Sequence, residues 1–251
     1  MTIQDFFTAC PRAALGFSGG TDSSFLLCAA LRCGADVRPY YVNSPFQPAF
    51  ELEDARRVCA LLGAELTVIE LDTLAVPEIA ANGPDRCYHC KKAIFSAIAE
   101  RAASDGYSLL LDGANASDDA ADRPGMRAAG ELAVRSPLRE CGLTKEAIRR
   151  LSREAGLFTW DKPAYACLAT RVPTGEALTR SALETTEQAE SALRGLGLRD
   201  FRVRWRDGGK TALLQLSAAD LGRWRASGAA ADAPLKRFYD NVIIDKELRR
   251  G

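Results

Sequence analysis

Ser18-Gly19-Gly20-Thr21-Asp22-Ser23-Ser24 gathers the residue types that hold an anion. Adjacent glycines reach positive φ and bring backbone N–H groups close to a phosphate. The serine hydroxyls add donors, and a helix starting behind them adds the positive end of its dipole. The stretch is not GxxxxGK followed by Ser or Thr, which disfavours a P-loop kinase or GTPase. It is not GxGxxG, which disfavours a dinucleotide dehydrogenase.

A second group is made of thiols. Cys87 and Cys90 stand at CxxC spacing in Arg86-Cys87-Tyr88-His89-Cys90-Lys91, and Cys167 lies far along the chain. Two thiolates from one turn can bind one metal. A third, distant one leaves a coordination position open, which suits an iron–sulfur cluster that takes an exogenous ligand. Zinc would prefer a fourth protein ligand; His89, awkwardly placed inside the CxxC, could supply it. A redox pair is another reading of the spacing. Because His89 is the only histidine, a Ser-His-Asp triad, an HExxH zinc site or a multi-His iron site would have to use it or fail. Cys28, Cys33 and Cys59 read as small core residues on helices, and Cys10 and Cys141 as loop thiols.

A third group is cationic. Arg202 and Arg204 alternate with Phe201, Val203 and Trp205, with Arg206 next. In a strand, period two puts both guanidinium groups on one face. That face is either solvated or an anion site.

The elements that must carry these groups alternate in type. Ala13–Phe17 predicts a strand, followed by the glycine turn and a helix from about Asp22 to Cys33. Val37–Asn43, Leu66–Leu71 and the continuous apolar run Tyr107–Asp112 predict further strands. Phe50–Leu62, Cys90–Ala103 and Thr144–Ala155 have helical spacing. This order argues an α/β fold, a doubly wound parallel sheet with right-handed crossovers. Gly113 ends the last of these strands, and ligands bind at such carboxyl ends in open sheets. Past a loop-like stretch, Phe158–Gly175, come a helix (Arg180–Leu193), strands (Phe201–Arg206 and Thr211–Leu216), a helix (Ala218–Ala226) and a strand (Phe238–Ile244). That is a second, smaller α/β domain. The expected division is 1–160 and 161–251.

Composition narrows the function. An apolar fraction of 47% over 251 residues supports packed cores, so disorder is not the main theme. The best apolar run, Phe25–Leu31, is seven residues, against about 20 for a membrane span. The first ten residues lack a signal-peptide pattern, so a cytoplasmic location and reduced thiols are expected. Lys+Arg and Asp+Glu are 33 each, which weighs against general nucleic-acid binding. Basic and acidic residues number 17 and 21 before Asp161, and 16 and 12 from it onward. The later part is basic enough for a small phosphorylated ligand.

SGGTDSS behind an N-terminal strand resembles the PP-loop of the ATP pyrophosphatases, which cleave ATP to AMP and pyrophosphate and use AMP to activate a carbonyl or carboxylate. That resemblance implies that Ser18, Gly19, Gly20, Asp22 and Ser23, with Gly113, bind the nucleotide. It also implies Mg²⁺ at Asp22, unless Asp22 only caps the helix. The wider set resembles the LarE family, ATP-dependent sulfur transferases of nickel-pincer nucleotide biosynthesis. It comprises SGGTDSS, RCYHCK, DGANASDD, DRPG (Asp122–Gly125), SPL (Ser136–Leu138), LTKEAIR (Leu143–Arg149), WDKPAYACLATR and FRVR (Phe201–Arg204). It spans about Ala13–Ile244. It implies ATP-dependent adenylylation of the carboxylates of pyridinium-3,5-biscarboxylic acid mononucleotide, release of pyrophosphate, and replacement of AMP by sulfur. It further implies Asp22 and Cys167 as catalytic groups and Arg202 and Arg204 on the substrate phosphate. Glu190 and Asp220 are implied at a cation or the substrate. Cys87, Cys90 and Cys167 are implied as ligands of a 4Fe–4S cluster relaying sulfide; in members with Cys167 alone, that thiol is sacrificed. Trp205–Lys210 departs from the histidine-containing pattern of the family. The expected partners are the mononucleotide, a sulfide source and further copies of the chain in a homo-oligomer, with no nucleic acid and no membrane. The alternatives are a tRNA thiolase of the PP-loop class with a cluster, a non-catalytic adenine-nucleotide sensor, and an ammonia-using synthetase indifferent to the three cysteines.

Overall fold

The computed structural model describes residues 1–118, 123–226 and 232–249, with the backbone alone of 123 and 124. Asp119, the last residue of DGANASDD, and Asp122, the first of DRPG, lie outside the described residues. The chain forms two compact units, Met1–Thr73 with Asp85–Lys162 and Leu74–Pro84 with Pro163–Gly251. The division is not the contiguous one that the linear sequence suggests. Leu74–Pro84 is held in the second unit by Asn82, whose side-chain amide donates to the carbonyls of Pro173 (2.8 Å) and Glu176 (2.9 Å).

The first unit begins with α1 (Ile3–Ala9), closed by a Thr2–Asp5 capping box. Then come β1 (Arg12–Gly16), α2 (Thr21–Arg32), β2 (Asp36–Asn43), α3 (Ala49–Leu62) and β3 (Thr67–Glu70). The short α4 (Pro77–Ala80) lies in the segment given to the second unit. α5 (Arg86–Ser104), β4 (Leu110–Leu111), α6 (Arg123–Glu131), α7 (Pro137–Glu140) and α8 (Lys145–Glu154) complete the first unit. The sheet is all parallel in the order β3-β2-β1-β4. Alternate residues face opposite ways. Ala13, Leu15, Val37 and Tyr41 join α2 and α3 residues in one buried cluster, while Ala14, Tyr40 and Val42 join Phe95 and Ile98 of α5 in another. Both faces are therefore covered, which is why these strands read as near-continuous apolar runs.

Three spans differ from the sequence expectation, one of them the last strand, which is Asn241–Ile244 and not Phe238–Ile244. α5 starts four residues before Cys90, which brings Cys87 into the same helix. Only Leu110–Leu111 of the run Tyr107–Asp112 is strand; Tyr107 N–H returns to the Ala102 carbonyl and closes the helix instead.

The second unit carries α9 (Arg180–Gly195), β5 (Phe201–Arg206), β6 (Thr211–Leu216), α10 (Ala218–Ala226) and β7 (Asn241–Ile244). Its sheet runs β5-β6-β7, antiparallel then parallel. Phe201, Val203, Leu214 and Leu216 bury one face against Ala189 and Leu193 of α9 and against Trp224. Arg202 and Arg204 are left on the other face.

Candidate functional site

The chain turns from one side of the sheet to the other between β1 and β4. In an open α/β sheet that is where a ligand crevice forms. Residues 17–20 after β1 and Asp112–Gly113 after β4 flank this switch point. Gly19 has φ +66°, and an added Cβ would stand 2.8 Å from Ala55 N and 2.9 Å from its Cα. No other residue type fits there. Gly20 is the N-cap of α2 and makes no side-chain cap bond, so the first amides of α2 keep the orphan character that suits an anion. Ser18 and Ser23 fix the loop: their hydroxyls lie 3.1 Å apart, and Ser18 Oγ accepts from Gly20 N–H at 3.3 Å. A Cβ on Gly113 would be 3.1 Å from Ser23 N, so the β4 end packs directly on the loop. The six expected nucleotide residues thus lie together.

Asp22 faces this loop from the first turn of α2. Its Oδ2 accepts from Lys145 Nζ at 2.7 Å, and its Oδ1 is buried without a hydrogen-bond partner. Burial pushes the Asp22 carboxyl above its ordinary range; Lys145 and Arg149 oppose the shift, and Asp118 adds to it. A carboxylate with one buried, unpartnered oxygen fits a divalent cation in donor chemistry.

Two cations absent from the expected set stand at the loop. Lys145 opens α8. Lys162 Nζ donates to the Gly19 carbonyl at 3.3 Å and pairs with Asp54 Oδ2 at 2.8 Å. The loop sequence lacks a P-loop lysine, and tertiary structure brings two. Their signal in the sequence was membership in LTKEAIR and WDKPAYACLATR, which composition alone does not interpret. The segment just before Pro163 is stitched to the same loop. Thr21 Oγ1 donates to the Thr159 carbonyl at 2.7 Å, and Arg149 donates to the carbonyls of Trp160 and Lys162 at 2.9 and 3.0 Å.

Beside the β4 end lies a cleft of about 360 Å³ whose polar lining includes Lys91, Asp112, Asp118, Ser136 and Arg139. Asp112 Oδ1 is fixed by Ser136 Oγ (2.7 Å) and Ala114 N–H (3.1 Å). On α5, Cys90 precedes Lys91 directly and Cys87 lies one turn before it; the two thiols share a helix face by their spacing of three. Arg86 Nη2 lies 3.3 Å from Cys87 Sγ.

In the second unit Cys167, Glu190, Arg202 and Arg204 form one constellation. Cys167 caps a 3₁₀ turn, Leu168–Arg171. Arg171 Nη1 donates to the Ala166 carbonyl and to Thr170 Oγ1 at 2.8 and 2.9 Å, and Arg204 Nη1 donates to the Thr170 carbonyl at 2.9 Å. Arg204 Nε also donates to Gln215 Oε1. Arg202 Nε is buried with no partner. Burial, and then Arg249, Arg171 and Arg204, push the Arg202 guanidinium down to about 10. Arg204 is lowered by burial and by Arg171, Arg206 and Arg249. Packed guanidiniums short of carboxylates make a site for an anion.

Glu190 is fully buried and already saturated. It accepts from Arg171 Nε (2.7 Å) and Nη2 (3.2 Å), Tyr165 OH (2.6 Å) and Val203 N–H (3.0 Å). Burial alone would raise its carboxyl; Arg171 and these bonds overturn that and hold it below the usual range. Asp220 is likewise occupied, capping Arg199 N–H and Asp200 N–H and pairing with Arg223. Both carboxylates serve as organisers here: Glu190 orients Arg171, and Asp220 fixes the turn into β5.

Among the described residues, no three His, Cys, Asp or Glu side chains gather as a group that could hold a metal ion. Of the remaining cysteines, Cys28 and Cys59 are buried, and burial raises the Cys59 thiol to about 12. Cys10, Cys33 and Cys141 cap helix ends.

No protein-family model matches the chain. It is 36% identical over 203 residues to an uncharacterized protein of Synechocystis sp., covering 80% of this chain and 76% of that one. It is 28% identical over 190 residues to an uncharacterized protein of Methanocaldococcus jannaschii, covering 76% and 72%. It is 35% identical over 213 residues, covering 84% and 76%, to the pyridinium-3,5-bisthiocarboxylic acid mononucleotide synthase of Lactiplantibacillus plantarum. With that coverage, the chain belongs to the family of this synthase, the LarE family.

Proposed function

We propose that the chain is an ATP-dependent sulfur transferase acting on pyridinium-3,5-biscarboxylic acid mononucleotide. The observation that carries the reading is the anion loop at the switch point of the first unit, with Gly19 locked by φ and by Ala55. A substrate carboxylate oxygen attacks the α-phosphorus of ATP, the bond to the β-phosphate oxygen breaks, and pyrophosphate leaves. A sulfur nucleophile then attacks the acyl carbon and AMP departs, giving a thiocarboxylate. AMP is a far better leaving group than a carboxylate oxygen, and thiolates are strong nucleophiles. The α2 amides, Ser18 and Ser23 hold the phosphates, and Asp22 would hold Mg²⁺, which neutralises phosphate charge when bound. Arg202 and Arg204 hold the substrate phosphate, on the turn network that carries Cys167.

The sulfur source is proposed as hydrosulfide. A 4Fe–4S cluster on Cys87, Cys90 and Cys167 would supply an exchangeable sulfur site, although no three such ligands gather among the described residues. A second reading has its own observation: Arg171 Nη1 donates to the Ala166 carbonyl at 2.8 Å, which fixes the guanidinium against the turn that Cys167 caps. Cys167 would then attack the acyl carbon itself. Loss of its Cα proton with cleavage of Cβ–S would leave dehydroalanine and release the thiocarboxylate. We propose that the chain works in the cytoplasm as a homo-oligomer.

The test is product analysis with ATP, Mg²⁺, sulfide and the mononucleotide. AMP, pyrophosphate and a substrate in which sulfur replaces oxygen are expected, and Asp22→Ala should abolish all three. Accumulation of ADP would overturn the reading.

A further inference from the structure

The loop at Ser18–Ser23 binds phosphate in this reading without a lysine of its own, yet an ammonium stands at its mouth. Lys145 is the first residue of α8. Its backbone is fixed: Thr144 caps the helix through Ala147 N–H, and Lys145 N–H donates to Ser117 Oγ at 2.9 Å. Its ammonium lies 2.7 Å from Asp22 Oδ2, and the side chain is one third exposed. The other Asp22 oxygen is buried and unpartnered. The Asp22–Lys145 contact therefore joins a fixed backbone to a flexible four-carbon stem with a strongly hydrated point charge, the kind of group that follows a phosphate oxygen. Lys162, the other nearby lysine, is less exposed and already shared between Asp54 and the Gly19 carbonyl.

We infer that Lys145 is the phosphate-binding lysine of this chain, parked on Asp22 until pyrophosphate or the β- and γ-phosphates of a nucleotide draw it away. The exchange needs no backbone movement. It leaves Asp22 with both oxygens open to the cation that accompanies the nucleotide, so one side chain serves two ligands in turn. The inference rests on the nucleotide-binding reading above and adds a residue to it.

The experiment is equilibrium binding of inorganic pyrophosphate, of ATP in EDTA and of adenosine to the full chain, wild type against Lys145→Met and Lys145→Arg. A charge-assisted hydrogen bond to phosphate predicts a loss of about tenfold or more in pyrophosphate and metal-free ATP affinity for Lys145→Met. Lys145→Arg should keep most of it, and adenosine affinity should not move. Pyrophosphate affinity within about twofold of wild type in Lys145→Met overturns the inference. So does an equal loss of adenosine binding, which would mean that Lys145 only supports the site's structure. Wild-type protein that binds neither pyrophosphate nor ATP refutes the nucleotide reading itself, a different result from either.

Discussion

Gly19→Ala tests the loop at its tightest point. An L-residue at φ +66° costs roughly 1–2 kcal/mol in left-handed backbone strain. The stiffer unfolded chain returns about 0.4–1 kcal/mol. The new Cβ would also press on Ala55 N, Cα and Cβ at 2.8, 2.9 and 3.0 Å. Two of those atoms are backbone of α3, so relief requires moving a helix, and overpacking of that kind costs about 1–3 kcal/mol. The net loss should be about 2–4 kcal/mol. Gly34→Ala is the matched control, with φ +76° and nothing within 4 Å of its Cβ; it should lose only about 1 kcal/mol or less. Ala55→Gly should fail to rescue Gly19→Ala, because the backbone contacts remain. Urea denaturation with linear extrapolation gives the stabilities, and calorimetry gives ATP affinity, which should collapse for Gly19→Ala alone. If the two alanine variants lose equal stability, the claim that Ala55 closes the space above the loop is wrong.

Glu190→Gln should cost about 3–5 kcal/mol in urea, because it leaves the Arg171 charge buried and uncompensated. The Glu190 carboxyl lies below its ordinary value of 4.5, so its stabilisation is complete above that value and is lost as pH falls through the lower folded one; the Gln variant should lack this acid-side component. Arg202→Ala should weaken the mononucleotide about tenfold or more while sparing ATP, and should not destabilise the free protein, since it removes a buried N–H without a partner; unchanged substrate affinity would return β5 to a plain strand face. Mass spectrometry after turnover separates the sulfur routes: sacrifice leaves Cys167 lighter by one H₂S, whereas relay leaves the chain unchanged. Iron-free reconstituted protein together with full transfer by Cys87→Ala would leave Cys167 as sole donor.

The sequence revealed what local pattern encodes. β5, β6 and α10 have the expected bounds because alternation and helical spacing are read within one element. The glycine pair marked the turn after β1 because positive φ is a local demand, and Gly19 meets it at +66° while Gly20 stays extended. Partnership was not legible. Lys145 reaches Asp22 across 123 residues and Lys162 reaches Gly19 across 143; no window contains both ends. Glu190 and Asp220 show the same limit from the other side. Acidic residues near an arginine strand suggest ligand contacts, but only the structure shows that five donors already occupy Glu190 and that backbone amides occupy Asp220. The start of α5 was misplaced because Cys87, Tyr88 and His89 carry no apolar periodicity; their helix continues one that is set further along by Phe95 and Ile98.

Each unit stores an uncompensated polar group where a ligand of opposite character would relieve it. In the first, a buried Asp22 oxygen lacks a partner, and burial disfavours the charged form. That penalty is absent while the group is protonated and grows as pH rises through the ordinary carboxylate range. In the second, the Arg202 N–H lacks a partner while Arg249, Arg171 and Arg204 repel its charge. An unsatisfied buried polar group costs about 1–3 kcal/mol, a large share of the net stability of a domain. Such groups are tolerated where something else completes them, and ligand binding to the folded chain then adds stability by mass action. In the proposed function a cation with a nucleotide would answer the first and a phosphate monoester the second. The two halves of the proposed substrate set thus match two charged side chains that each keep a buried polar atom without a hydrogen-bond partner, while the saturated carboxylates Glu190 and Asp220 are held by their own donors.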